Sequence, residues 1–90
     1  MPAVCKRVLY SGRVQGVGFR ATARAVAGRY PVAGYVRNLP SGDVELVVEG
    51  EPDAVQAFLS EVGRRMEGYV EGVDVRDQPP AGRTGFHVRH

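Results

Sequence analysis

Gly12-Arg13-Val14-Gln15-Gly16-Val17-Gly18-Phe19-Arg20 is the passage on which the reading of the fold turns, because the hydrophobic period changes across it. Upstream, Val8, Tyr10 and Val14 share one face while Arg7, Ser11 and Arg13 take the other, the period-two pattern of an extended segment through Val4–Val14. Downstream, Phe19, Ala23, Val26, Ala27 and Tyr30 fall on one stripe of a helix over about Arg20–Arg29. Pro31 removes an N–H and restricts Tyr30, so the helix is expected to stop there. The passage is therefore a strand passing into a helix through two closely spaced glycines.

Working outward, Ala33–Leu39 and Asp43–Glu49 read as strands joined by a Pro40-Ser41-Gly42 hairpin turn. In the second, Val44, Leu46 and Val48 alternate with Glu45, Val47 and Glu49, so one face is expected to be buried. Glu51-Pro52-Asp53 opens a second helix, with proline in its first turn and an acid near the positive end of the dipole. Val55, Phe58, Leu59, Val62 and Met66 form its inner stripe, and Gly63 weakens it by roughly 1 kcal/mol relative to alanine. Tyr69–Asp77 is a further strand with Val73 and Val75 inward, broken by Pro79-Pro80. Gly85–Arg89 is a short last strand with Phe86 and Val88 inward. Two helices with one apolar stripe each require one sheet face to cover. The expected class is α+β: a ferredoxin-like βαββαβ sandwich plus a short C-terminal strand, with both helices on one face of a five-stranded, mainly antiparallel sheet.

Ninety residues fit one domain spanning 1–90 and bury roughly 60–65% of the unfolded surface, enough for one thin core. Apolar content of 43% and charged content of 24% argue against disorder. No apolar run approaches the ~20 residues that span a bilayer, and the N-terminus reaches Lys6-Arg7 too soon for a signal-peptide core. A cytoplasmic chain without a membrane partner is the expectation. Cys5 is the single cysteine, so no internal disulfide forms, and it is expected to be a small buried or edge-strand residue. The net charge of +2 is too small to indicate nucleic acid, but its distribution is uneven. Residues 1–45 carry seven basic and two acidic side chains, a balance of +5, against −3 for residues 46–90. The positive half holds the glycine passage, which favours an anionic ligand.

Gly16 and Gly18 permit the positive φ values that turn successive N–H groups toward one point. Val17, Gly18 and Phe19 offer no side-chain oxygen to cap the helix, so its first amides need another acceptor, which a phosphate would supply. Arg20 follows at once and can fork onto the same oxygens. The alternative is a tight turn whose glycines only reverse the chain.

Missing groups narrow the chemistry. A cysteine phosphatase places its thiolate six positions before the arginine, where Val14 stands here. His87 and His90, three apart near the end, are expected to face solvent and not to bind metal, and no Ser/His/Asp set stands out. A site with donors and a positive charge but no acid, base or nucleophile can still cleave a phosphate compound whose leaving group needs no proton. A carboxylate, with a pKa near ~4, qualifies; an alkoxide does not. Asn38 is the best candidate to position the attacking water, and equally fits an asparagine that starts the hairpin turn.

Taken together these residues resemble the acylphosphatase family. Gly12 to Arg20 matches the family's phosphate-loop signature. Gly34-Tyr35-Val36-Arg37-Asn38, then Ser41-Gly42-Asp43-Val44-Glu45, is similar to its glycine-aromatic-valine-x-asparagine strand and following turn, and Gly85-Phe86-His87-Val88-Arg89 to its last strand. The resemblance implies that Arg20 binds the substrate phosphate and that Asn38 orients water. It also implies that the amides of Gln15, Gly16, Val17, Gly18, Phe19 and Arg20 cradle the phosphate, with no metal, cofactor or phosphoenzyme. A monomer acting on a small acyl phosphate and releasing inorganic phosphate follows. Tyr35 stands where the family commonly has tryptophan, a packing change near the site, and Arg29-Tyr30-Pro31 replaces the usual glycine-ended helix exit.

Two rivals share the element order. An RNA-binding module stacks bases on central-strand aromatics, whereas Asp43–Glu49 is acidic and aliphatic. A non-enzymatic anion sensor, or a module like that of hydrogenase maturation proteins, would bind without turnover; a chain of this length favours an independent enzyme.

Overall fold

The alternation ahead of the glycine passage forms β1 (Val4–Gly12) in a computed structural model that describes residues 2–90. There follow α1 (Phe19–Ala27), β2 (Val32–Asn38), β3 (Val44–Gly50), α2 (Pro52–Arg65), β4 (Val70–Gln78) and β5 (Phe86–Arg89). The strands lie in the order β4-β1-β3-β2-β5, antiparallel throughout except for the parallel β2–β5 pair. This is the expected five-stranded α+β arrangement. The inner stripes of both helices meet Val8 and Tyr10 of β1, Val36 of β2 and Val44, Leu46 and Val48 of β3 in one core.

Four expectations need correction. β1 ends at Gly12, not Val14, because its pairing with β4 shifts register between Ser11 and Gly12. Gly12 has φ +116°, and a Cβ there would lie 2.6 Å from the Tyr69 carbonyl oxygen. Val14 still reaches the core, folded in from the loop instead of the strand. α1 likewise ends at Ala27 with Gly28 as its C-cap, ahead of Arg29, so the helix does leave on a glycine. Pro31 has no N–H to give the Ala27 carbonyl, which accepts from Tyr30 at 3.3 Å instead.

β3 is buried on both faces, not one. Arg7 Nε (2.7 Å) and Arg37 Nε (2.6 Å) close over Glu45 on the face away from the helices. Burial alone would raise the Glu45 carboxyl, but hydrogen bonds from Arg37 and Arg7 hold it below its ordinary value. Beside it, the segment between β4 and β5 folds over Glu49, whose carboxylate accepts from the amides of Ala81, Gly82 and Arg83 and from Arg83 Nη1. Cys5 is buried beneath this cover on an interior strand.

Val73 and Val75 pair with Tyr10 and Val8 across β1, but they are 56% and 51% exposed. β4 is an edge strand on which Val73 and Val75 are left largely uncovered. Inward orientation there does not mean burial.

Candidate active site

The glycine passage occupies the junction between β1 and α1. Gly16 (φ +78°) and Gly18 (φ +80°) both adopt the left-handed conformation that side chains disfavour, and Gly18 is the N-cap of α1 with no side-chain capping bond. The first main-chain bond of the helix runs from Thr22 N–H to the Gly18 carbonyl at 2.9 Å. Among the described residues, the amides from Gln15 to Ala21 donate to no main-chain acceptor. A set of N–H groups therefore gathers at the positive end of the helix dipole, in a turn shaped to converge them.

Phe19 fixes the helix start. Its ring sits 4.7 Å from that of Tyr10 and is fully buried, which points the following residue, Arg20, outward. Burial pushes the Tyr10 phenol well above its ordinary range, so it holds its proton as a packing residue. Arg20 faces a cavity of about 720 Å³ whose lining includes Val14, Gly16, Gly18, Asn38 and His90. Asn38, the last residue of β2, arrives from the neighbouring strand end. Of the residues singled out in the sequence, Gly16, Gly18, Phe19, Arg20 and Asn38 are brought together here; Gln15 and Val17 do not line the cavity.

Val17 packs against the core. Gln15 has a different part: its Nε2 donates to the carbonyls of Leu39 and Asp43, both at 2.9 Å. This ties the glycine loop to the β2–β3 turn and sets Asn38 relative to the amides.

His90 is exposed, as expected, and also meets Arg20. Its Nδ1 lies 3.1 Å from Arg20 Nη1, with the Arg89 carbonyl 3.5 Å from the same atom. Since guanidinium only donates, Nδ1 accepts in this contact, which requires the Nε2–H tautomer. Only the parallel pairing of β5 with β2 carries His90 to this place, and no local pattern announces it. Tyr35 differs from expectation. It sits on the opposite face of the sheet, with the Arg89 guanidinium 3.8 Å over its ring, so its difference from tryptophan does not touch the cavity. No three His, Cys, Asp or Glu side chains converge as a metal-ligand set among the described residues.

The arrangement offers donors, the guanidiniums of Arg20 and Arg24 and one neutral carboxamide around an open space. A family model described as acylphosphatase matches residues 6–88. The chain belongs to the acylphosphatase family. It is 43% identical over 90 residues to the acylphosphatase of Pseudomonas aeruginosa, covering 99% of each chain. The crystal structure of the acylphosphatase from Bacillus subtilis superposes with a TM-score of 0.88 at 31% identity, over 97% of this chain and 99% of that one. A structure of HypF from T. kodakarensis matches with a TM-score of 0.84 at 26% identity, over 97% of this chain but 12% of that one. The family's unit thus also occurs within a much larger protein.

Proposed function

We propose that this chain hydrolyses acyl phosphates, with Arg20 and the amides of residues 15–20 holding the phosphate and Asn38 orienting the attacking water. The observation that carries the reading is the meeting of undonated loop amides, Arg20 and Asn38 at one cavity. Family membership supports the same chemistry.

In the reaction, the water oxygen forms a bond to phosphorus as the bond from phosphorus to the acyl oxygen breaks. That electron pair leaves on a carboxylate, which needs no proton, and the water proton ends on the phosphate product. Arg20 and the amides stabilise charge spreading over the three equatorial oxygens. Asn38 accepts from the water through its carboxamide oxygen and holds it in line. No step requires a cofactor. A single-domain monomer in the cytoplasm, acting on small molecules without a nucleic-acid or membrane partner, completes the reading. The free thiol of Cys5 suits a reducing compartment, and among the described residues no helix is long and apolar enough to cross a membrane.

Acetyl and benzoyl phosphate, assayed with EDTA beside a phosphate monoester, test this. The acyl phosphates are hydrolysed and the monoester is not. Arg20→Ala lowers kcat/KM by at least about 100-fold and weakens phosphate inhibition, whereas Asn38→Ala lowers kcat by about 100-fold and leaves phosphate affinity nearly intact. Unchanged rates in both variants would remove the site.

A further inference from the structure

Arg24 has no part in this mechanism, yet it lines the same cavity as Arg20, one helical turn further along α1. Four residues of helix rise roughly 6 Å and place both side chains on one face. Among the described residues no Asp or Glu side chain lines the cavity, and Arg24 joins none of the ion pairs. Two like charges at this spacing work against each other on a helix. A last-turn cation does gain from the helix dipole, but that gain would be available on any side of the helix.

The small side chains of Ala21 and Ala25 line the cavity beside the two arginines, while Val14 and Val88 supply an apolar side. An acyl group extending from a phosphate on Arg20 would lie along this lining and end beside Arg24. We propose that Arg24 is a second anion-binding residue, which selects acyl phosphates whose acyl group carries its own negative charge roughly 6 Å from the phosphate. The proposal rests on the acyl-phosphate reading above and names the substrate class within it.

Benzoyl phosphate and meta-carboxybenzoyl phosphate separate the two, since they differ by one distal carboxylate. The wild type is expected to prefer the carboxylated compound by about fivefold in kcat/KM, the scale of a partly solvated ion pair, and mostly through KM. In Arg24→Gln the ratio falls to about one, in Arg24→Glu below one, and about 0.5 M KCl erases the wild-type preference. Glutamine and glutamate are good helix formers, so these exposed substitutions keep α1 intact. Equal use of both compounds by the wild type, or a ratio that Arg24→Gln leaves unchanged, would overturn the proposal alone. Hydrolysis of neither compound would overturn the parent reading and this one with it.

Discussion

Glu49 and Arg83 are joined at 2.6 Å, and the same Glu49 carboxylate accepts three consecutive amides from the segment bearing Arg83. One buried carboxylate on β3 thereby holds down the connection that leads into β5. Glu49→Gln keeps the shape but turns an NH₂ toward donors. It is expected to cost about 2–3 kcal/mol, read as a fall in Tm of roughly 10 °C or more. Because β5 supplies Val88 to the cavity and leads into His90, KM is expected to rise at temperatures where the variant is still folded. A variant as stable as wild type would show that the segment is held by other contacts.

Gln15 gives a test that separates positioning from binding. Gln15→Ala removes both bonds to the β2–β3 turn and costs about 1 kcal/mol of stability. Asn38 immediately precedes Leu39, one of the two acceptors, so the turn's release is expected to lower kcat by about threefold to tenfold. Phosphate inhibition, which reports on Arg20 and the loop amides, should change less. Equal losses in both would assign Gln15 to the phosphate cradle itself.

Stability should fall in acid through three carboxylates. Burial would raise Glu45 and Glu49, but hydrogen bonds from Arg37 and Arg7 to the first, and from the Ala81 amide and Arg83 to the second, win and lower both. The hydroxyl of Tyr30 does most to lower Glu61, against the cost of burial and with help from Arg65. A carboxyl depressed in the folded state contributes stability that is present above its unfolded pKa, about 4.3, and is lost as pH falls through the folded value. Urea midpoints are expected to stay level from pH 7 to about pH 5.5 and to decline below about pH 4.5. Replacing Glu45 and Glu49 together with glutamine should flatten that decline, although the variant starts lower.

Gly34 leaves no room for a side chain against β3. A Cβ at this position would lie 1.8 Å from the Val47 carbonyl oxygen, and the backbone has φ +150°. Gly34→Ala must part the two strands or twist one of them, at a cost of about 3 kcal/mol or more. Loss of the cooperative thermal transition is the expected result. A folded variant with native Tm would mean that the sheet can open here without penalty.

The elements themselves were legible because each declares its period locally. The stripe from Phe19 to Ala27 and the alternation around Val8 and Tyr10 both survive in the core. Misreadings arose where a residue's surroundings come from distant chain. Val73 and Val75 carry a strand pattern, but only the sheet order shows that β4 is an uncovered edge. Glu45 and Glu49 look like solvent-facing positions until the arginines of β1, β2 and the β4–β5 segment close over them. At the candidate site, the glycine passage, Arg20 and Asn38 could be read from residue type and spacing. Gln15's bridge and His90's approach depend on pairings between strands and loops that no short stretch encodes.

β4 presents nine residues as one free margin of the sheet, with Val73 and Val75 uncovered. Its outer row of main-chain donors and acceptors is a template on which another extended chain can add. Glu71, Asp74 and Asp77, with Arg76 among them, give this strand a net acidic charge that a second copy would share. Colloidal behaviour is therefore governed at the end of the sheet remote from β5, and neutralising those charges would promote self-association without touching the cavity.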